Sequence, residues 1–123
     1  MGENEIYNTV GELKKHLGKY VASECARYSN GKLIPTVWIQ KLTEIPKEYK
    51  DAQKTKGIDV YGDCVTEIMP KQCKIYGYEY DNIEHYRTNA QFFFRKPTKQ
   101  EMNIYRKFWR QYRILGIMPK TNY

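Results

Sequence analysis

Cysteine is scarce in this sequence. Cys25, Cys64 and Cys73 are the only three, odd in number and widely separated. They exclude a disulfide framework, contain no C-x-x-C spacing for zinc, and fit a reducing, cytoplasmic setting. His16 and His85 are the only histidines, and Ser23 and Ser29 the only serines, so neither a histidine-rich metal site nor a nucleophile elbow is present. Asp59 and Asp63 fall on one face of an expected strand, but no third carboxylate and lysine follow in nuclease-like spacing. Glu12-Leu13-Lys14 is a bare E-x-K with no strand aspartate before it. There is no phosphate-cradling glycine loop of either the G-x-x-x-x-G-K or the G-x-G-x-x-G kind. The longest apolar runs, Val37-Trp38-Ile39 and Phe92-Phe93-Phe94, fall far short of the roughly 20 residues of a membrane span. The acidic start Met1-Gly2-Glu3-Asn4-Glu5 is no signal peptide. These absences point to a cytoplasmic, non-enzymatic protein with no metal, no cofactor and no membrane partner.

Acid is what the last quarter lacks. Residues 95–123 carry Arg95, Lys96, Lys99, Arg106, Lys107, Arg110, Arg113 and Lys120 against the single acid Glu101, which accounts for the whole formal net charge of +7. The first 94 residues are balanced. A field at one end of the chain attracts anions.

The same segment reads as a helix. Pro97 closes the strand before it, Thr98 and Glu101 form a capping box, and Gly116 and Pro119 stop it, so the helix is expected over about 99–115. At 1.5 Å per residue it is about 25 Å long. Met102, Ile104, Tyr105, Phe108, Trp109, Tyr112 and Leu115 share a broad apolar arc, which by default is core. Lys99, Arg106, Arg110 and Arg113 fall in a stripe about 60° wide, with Lys107 beside it. No acid is interleaved, whereas solvated faces normally mix signs. Arginine outnumbers lysine there, which suits bidentate contacts to phosphate or carboxylate.

The rest of the chain, a single domain over 1–123, reads as one short helix and several strands. Thr9 and Glu12 form a second capping box, with a helix expected over 9–17 before Gly18. Residues 19–28 and 33–45 alternate around Asn30-Gly31, a strong hairpin signal, and Pro35 requires an edge or a bulge. A polar loop follows over 46–57. Ile58, Val60, Cys64 and Ile68 predict one face of the next strand. Residues 73–80, 83–87 and 90–95 predict three more, the last two separated at Thr88-Asn89. The expected fold class is α+β: a short N-terminal helix, five to six antiparallel strands in a curled sheet or small barrel, and a long amphipathic C-terminal helix packed on it.

Two features carry functional expectations. The basic helix, through Lys99, Arg106, Lys107, Arg110 and Arg113 with Arg95 and Lys96 adding field, is expected to bind an anion, foremost nucleic acid or a nucleoprotein. Tyr76, Tyr78 and Tyr80, at period two beside Lys74, form a row able to stack unpaired bases, which Phe92 and Phe94 would extend. As alternatives, the helix docks on an acidic protein surface, or arginine and tyrosine line a pocket that sequesters small nucleotides. The Lys/Tyr/Ile/Asn-rich composition resembles that of small accessory proteins of phages and mobile elements in AT-rich hosts. For the acidic-protein alternative the expectation is an inhibitor of the kind phages use against host-defence complexes, anti-CRISPR-like, with the Tyr/Trp/Arg content supplying hot spots. No oligomeric state is read from the sequence.

Overall fold

One two-residue turn sets the geometry of the sheet. In the computed structural model, which describes residues 5–69, 74–77, 86–89 and 91–115, Asn30 and Gly31 both have positive φ, 52° and 76°. That is the type I′ hairpin turn, whose twist matches the flanking strands. It joins β2 (Tyr20–Ser29) to β3 (Lys32–Glu44). From Ser29↔Lys32 the register then runs unbroken through Ala22↔Ile39 to Tyr20↔Lys41. Pro35 faces Ala26, beyond Val37↔Ile68, the last described pair of β3 with β4 (Asp59–Met69), so its missing N–H breaks no described ladder bond.

The other strands extend this hairpin on both sides. β4 (Asp59–Met69) pairs with β3, and β7 (Phe93–Arg95) pairs with β2. β1 (Ile6–Tyr7), which nothing in the local pattern foretold, pairs with β7. β5 (Lys74–Gly77) and β6 (Tyr86–Asn89) lie along the same outer edge of β4, opposite residues 66–69 and 59–62. The order is β1-β7-β2-β3-β4, with β5 and β6 in succession along the last edge, all antiparallel. No pairing among the described residues joins β1 to β5 or β6, and the sheet is open or curled. Thr88 and Asn89 lie inside β6, not in a turn.

Each face of the sheet carries a helix. On one face α1 (Val10–Lys14) packs Val10 and Leu13 with Tyr7, Val21, Leu42, Ile58, Val60 and Phe94. On the other, α2 (Lys99–Leu115) packs Met102, Tyr105, Phe108 and Trp109 on Ala22, Val37, Ile39 and Ile68. The α+β class stands, and the arc of α2 assigned to the core is buried or half-buried wherever its side chains are described. Phe94 is fully buried on the α1 face, so it cannot extend a stacking row.

Two local expectations are corrected. The α1 capping box forms as expected, but the helix stops at Lys14. The amides of Lys15, His16 and Leu17 bond three residues back, and the Gly18 N–H donates to the Leu42 carbonyl at 2.7 Å. The tightened turn thus gives way to a tertiary bond. In β4, Cys64 has φ 51°, and the register slips between Ile39↔Thr66 and Lys41↔Asp63. This bulge reverses the alternation. Ile58 and Val60 therefore face α1, while Ile68 and the partly buried Cys64 pack on the α2 side, so the four do not share one face.

Candidate anion-binding site

The start of α2 is held by an ion-pair knot. Thr98 and Glu101 form the expected capping box: the Glu101 N–H donates to Thr98 Oγ1 at 3.1 Å, and the Thr98 N–H donates to Glu101 Oε1 at 2.9 Å. The Glu101 carboxylate also takes both terminal nitrogens of Arg95, at 2.8 and 2.6 Å, while Arg95 Nε donates to Glu24 Oε2 at 2.7 Å. Arg95 is 8% exposed. Burial opposes its charge, but the Glu101 and Glu24 carboxylates outweigh that and push its pKa further up. Arg95 was expected to join the anion-binding surface. The structure instead gives its guanidinium to two carboxylates beneath the helix, and it presents no free donor face to a ligand.

The middle of α2 is tied to the β4 bulge. Trp109 Nε1 donates to Thr66 Oγ1 at 2.5 Å, and that hydroxyl donates to the Cys64 carbonyl at 3.1 Å. Trp109 also meets Phe108 and Tyr112 edge-on, with centroids 5.4 and 5.2 Å apart. Thr66→Val keeps the shape and leaves the buried indole N–H without its acceptor, a loss of about 1–3 kcal/mol. A urea melt should show a lower midpoint with an unchanged slope. A wild-type midpoint would show that the bond contributes nothing.

The cations of α2 point outward. Lys99, Arg106, Lys107, Arg110 and Arg113 are all exposed. None of the described ion pairs engages Arg106, Lys107, Arg110 or Arg113. The stripe does not stand on a smooth convex surface, however. Between α2 and the sheet runs a groove of about 560 Å³, lined by Arg106, Arg110 and Arg113 on the helix side and by Tyr20, Lys41 and Asp63 on the sheet side. Tyr105 and Trp109 lie between these walls. The Tyr105 phenol has its pKa raised by burial and, further, by nearby Cys64 and Tyr20, so it stays protonated at any ordinary pH.

The sheet wall of the groove is one row across three strands. Tyr20 pairs with Lys41, and Lys41 pairs with Asp63. This row lies one step beyond Ala22 and Ile39, which α2 covers. Tyr20 leans edge-on against Tyr105 at 5.4 Å and remains 40% exposed. Past Tyr20 and Arg106 lies a second depression of about 380 Å³, which adds Lys19, Lys96, His16 and the acid Glu5. The His16 ring stacks on Tyr7, with centroids 4.0 Å apart. Its pKa is lowered by burial first and by Lys19 next, which leaves the ring neutral at pH 7.

The expected site residues therefore divide. Lys96, Lys99, Arg106, Lys107, Arg110 and Arg113 share one exposed surface, and Arg95 does not belong to it. Tyr78 and Tyr80 lie outside the described residues. The Tyr76 backbone pairs with Glu67 in β5, and its side chain is likewise outside the description. Lys19, Tyr20 and Lys41 were not anticipated. Among the described residues, no three His, Cys, Asp or Glu side chains gather as a metal site, and no helix is long and apolar enough to cross a membrane. Comparison of the chain with protein-family models, with curated proteins and with solved structures returns no match.

Proposed function

We propose that this is a small, non-enzymatic binding protein whose α2 face engages nucleic acid, free or within a nucleoprotein. One observation carries the reading. Arg106, Lys107, Arg110 and Arg113 are exposed together on one helix, none takes part in a described ion pair, and Lys41, Lys19 and Lys96 come in from other elements to widen the same surface. Like charges at helical spacing repel by a few tenths of a kcal/mol per pair. A polyanion relieves that repulsion and releases its own counterions on binding. The guanidinium fork pairs with phosphate oxygens two at a time.

The test is a salt titration of wild-type protein against a labelled oligonucleotide. Four to six phosphate contacts predict that log K falls against log salt concentration with a slope of about −3 to −5. A salt-insensitive affinity, or none, defeats the reading. A pull-down from source cells with and without nuclease separates the partner classes. Capture lost with nuclease supports nucleic acid, whereas capture retained points to an acidic protein surface instead.

A further inference from the structure

Resting on that reading, we infer that the ligand is a single strand rather than a duplex: it enters the groove between α2 and the Tyr20–Lys41–Asp63 row, its phosphates bridge Lys41 to Arg106 and Arg110, and an unpaired base stacks on Tyr20. Three observations carry this. First, the cations stand on both walls. Arg106, Arg110 and Arg113 come from α2, while Lys41 comes from the sheet beneath. A duplex resting on the outer stripe meets the helix cations and leaves Lys41 aside, whereas a chain lying in the groove meets both. Second, a groove of about 560 Å³ is within the roughly 300–1,000 Å³ range of pockets that enclose small ligands. That is the size of a nucleotide unit or two lying within it, well short of two paired strands.

Third, an aromatic ring stands where the track needs one. Tyr20 and Arg106 line both the groove and the adjoining depression, so they mark the step between two successive cavities. Tyr105 and Trp109 are 4% and 3% exposed and serve as the floor. Tyr20, by contrast, is 40% exposed and braced edge-on by Tyr105. A base inside a duplex has both faces covered by its neighbours. Only an unpaired base can offer a face to this ring, and such stacking is sequence-tolerant. Beyond Tyr20, Lys19 and Lys96 outnumber the one acid of the second depression, Glu5, and continue the positive field for the next phosphate.

Fluorescence anisotropy with a labelled oligothymidylate of about 15 nucleotides, against a blunt duplex of equal length, tests this. Wild type should bind the single strand at least 10-fold more tightly. Lys41→Glu should weaken the single strand by 10-fold or more and the duplex by less than about 3-fold. Tyr20→Ala should weaken the single strand by about 5- to 100-fold, the cost of one lost stack, and Tyr20→Phe should restore it. Lys32→Glu, at the hairpin tip, makes the same change in net charge and should leave both affinities as they are. Circular dichroism shows whether each variant folds. Equal or tighter duplex binding overturns the inference. So does wild-type affinity in both Lys41→Glu and Tyr20→Ala; if Arg106→Glu/Arg110→Glu still abolishes binding, the proposed function survives and the groove track alone fails. A wild-type protein that binds neither oligonucleotide removes both.

Discussion

Reversing Arg106 and Arg110 together to glutamate is expected to weaken nucleic-acid binding by about 100-fold or more at roughly 0.1 M salt. Both side chains are exposed, and both line the groove. Arg106 also lines the second depression, so it is the cation shared by the whole surface. The double variant removes two phosphate contacts and puts two repulsive charges in their place. Losing two contacts should reduce the salt slope by about 1.5–2. The fold should be indifferent. Neither residue enters the buried clusters, and thinning a stripe of like charge relieves repulsion within α2. The melting temperature should therefore hold, and the loss is read as a surface effect. Wild-type affinity in the double variant would show that α2 is a solvated face and nothing more.

The features legible in the sequence were those whose cause is local. Asn30-Gly31 encodes its turn in two residues, each capping box spans four, and the faces of α2 separate by helical period alone. The basic stripe was visible for that reason. The groove was not, because its sheet wall is tertiary. Still, the hairpin contained more than was drawn from it: a two-residue loop at 30–31 commits Tyr20 to lie opposite Lys41, in the row beside Ala22 and Ile39. The β4 bulge had no comparable sign. Its left-handed residue is Cys64 and not a glycine, so the alternation through 58–68 read as continuous. Arg95 failed for the opposite reason. Beside Lys96 it reads as part of a basic run, yet strand parity turns it inward under α2. There Glu101 lies six residues along and Glu24 lies on the neighbouring strand, where Ala22 is the residue paired with Arg95.

That inward turn makes Arg95→Met the substitution with the largest expected cost to stability, and a nearly neutral one for binding. Arg95, Glu24 and Glu101 have side chains 10%, 26% and 12% exposed. Methionine fills the space of the arginine stem but leaves two shielded carboxylates without their cation. Breaking a buried pair from one side costs about 3–5 kcal/mol. For a chain of this size that is a drop in melting temperature of about 10–20 °C. The pH dependence identifies the mechanism. In the native protein, burial opposes ionisation of Glu101, but the Arg95 guanidinium and the Thr98 N–H outweigh it and hold the carboxyl below the usual range. Its contribution to stability is thus present above the unfolded-state pKa of about 4.3 and lost as pH falls through the lower folded value. Without Arg95, burial prevails and the folded carboxyl titrates higher. The deficit of the variant should then be largest near pH 7 and shrink toward pH 4 as the Glu101 carboxyl protonates. Measured below its melting temperature, the variant should bind nucleic acid within about 2-fold of wild type, because Arg95 lies beneath the surface that Arg106 and Arg110 form. A wild-type melting curve would refute the structural role, and lost affinity in a folded variant would return Arg95 to the binding surface.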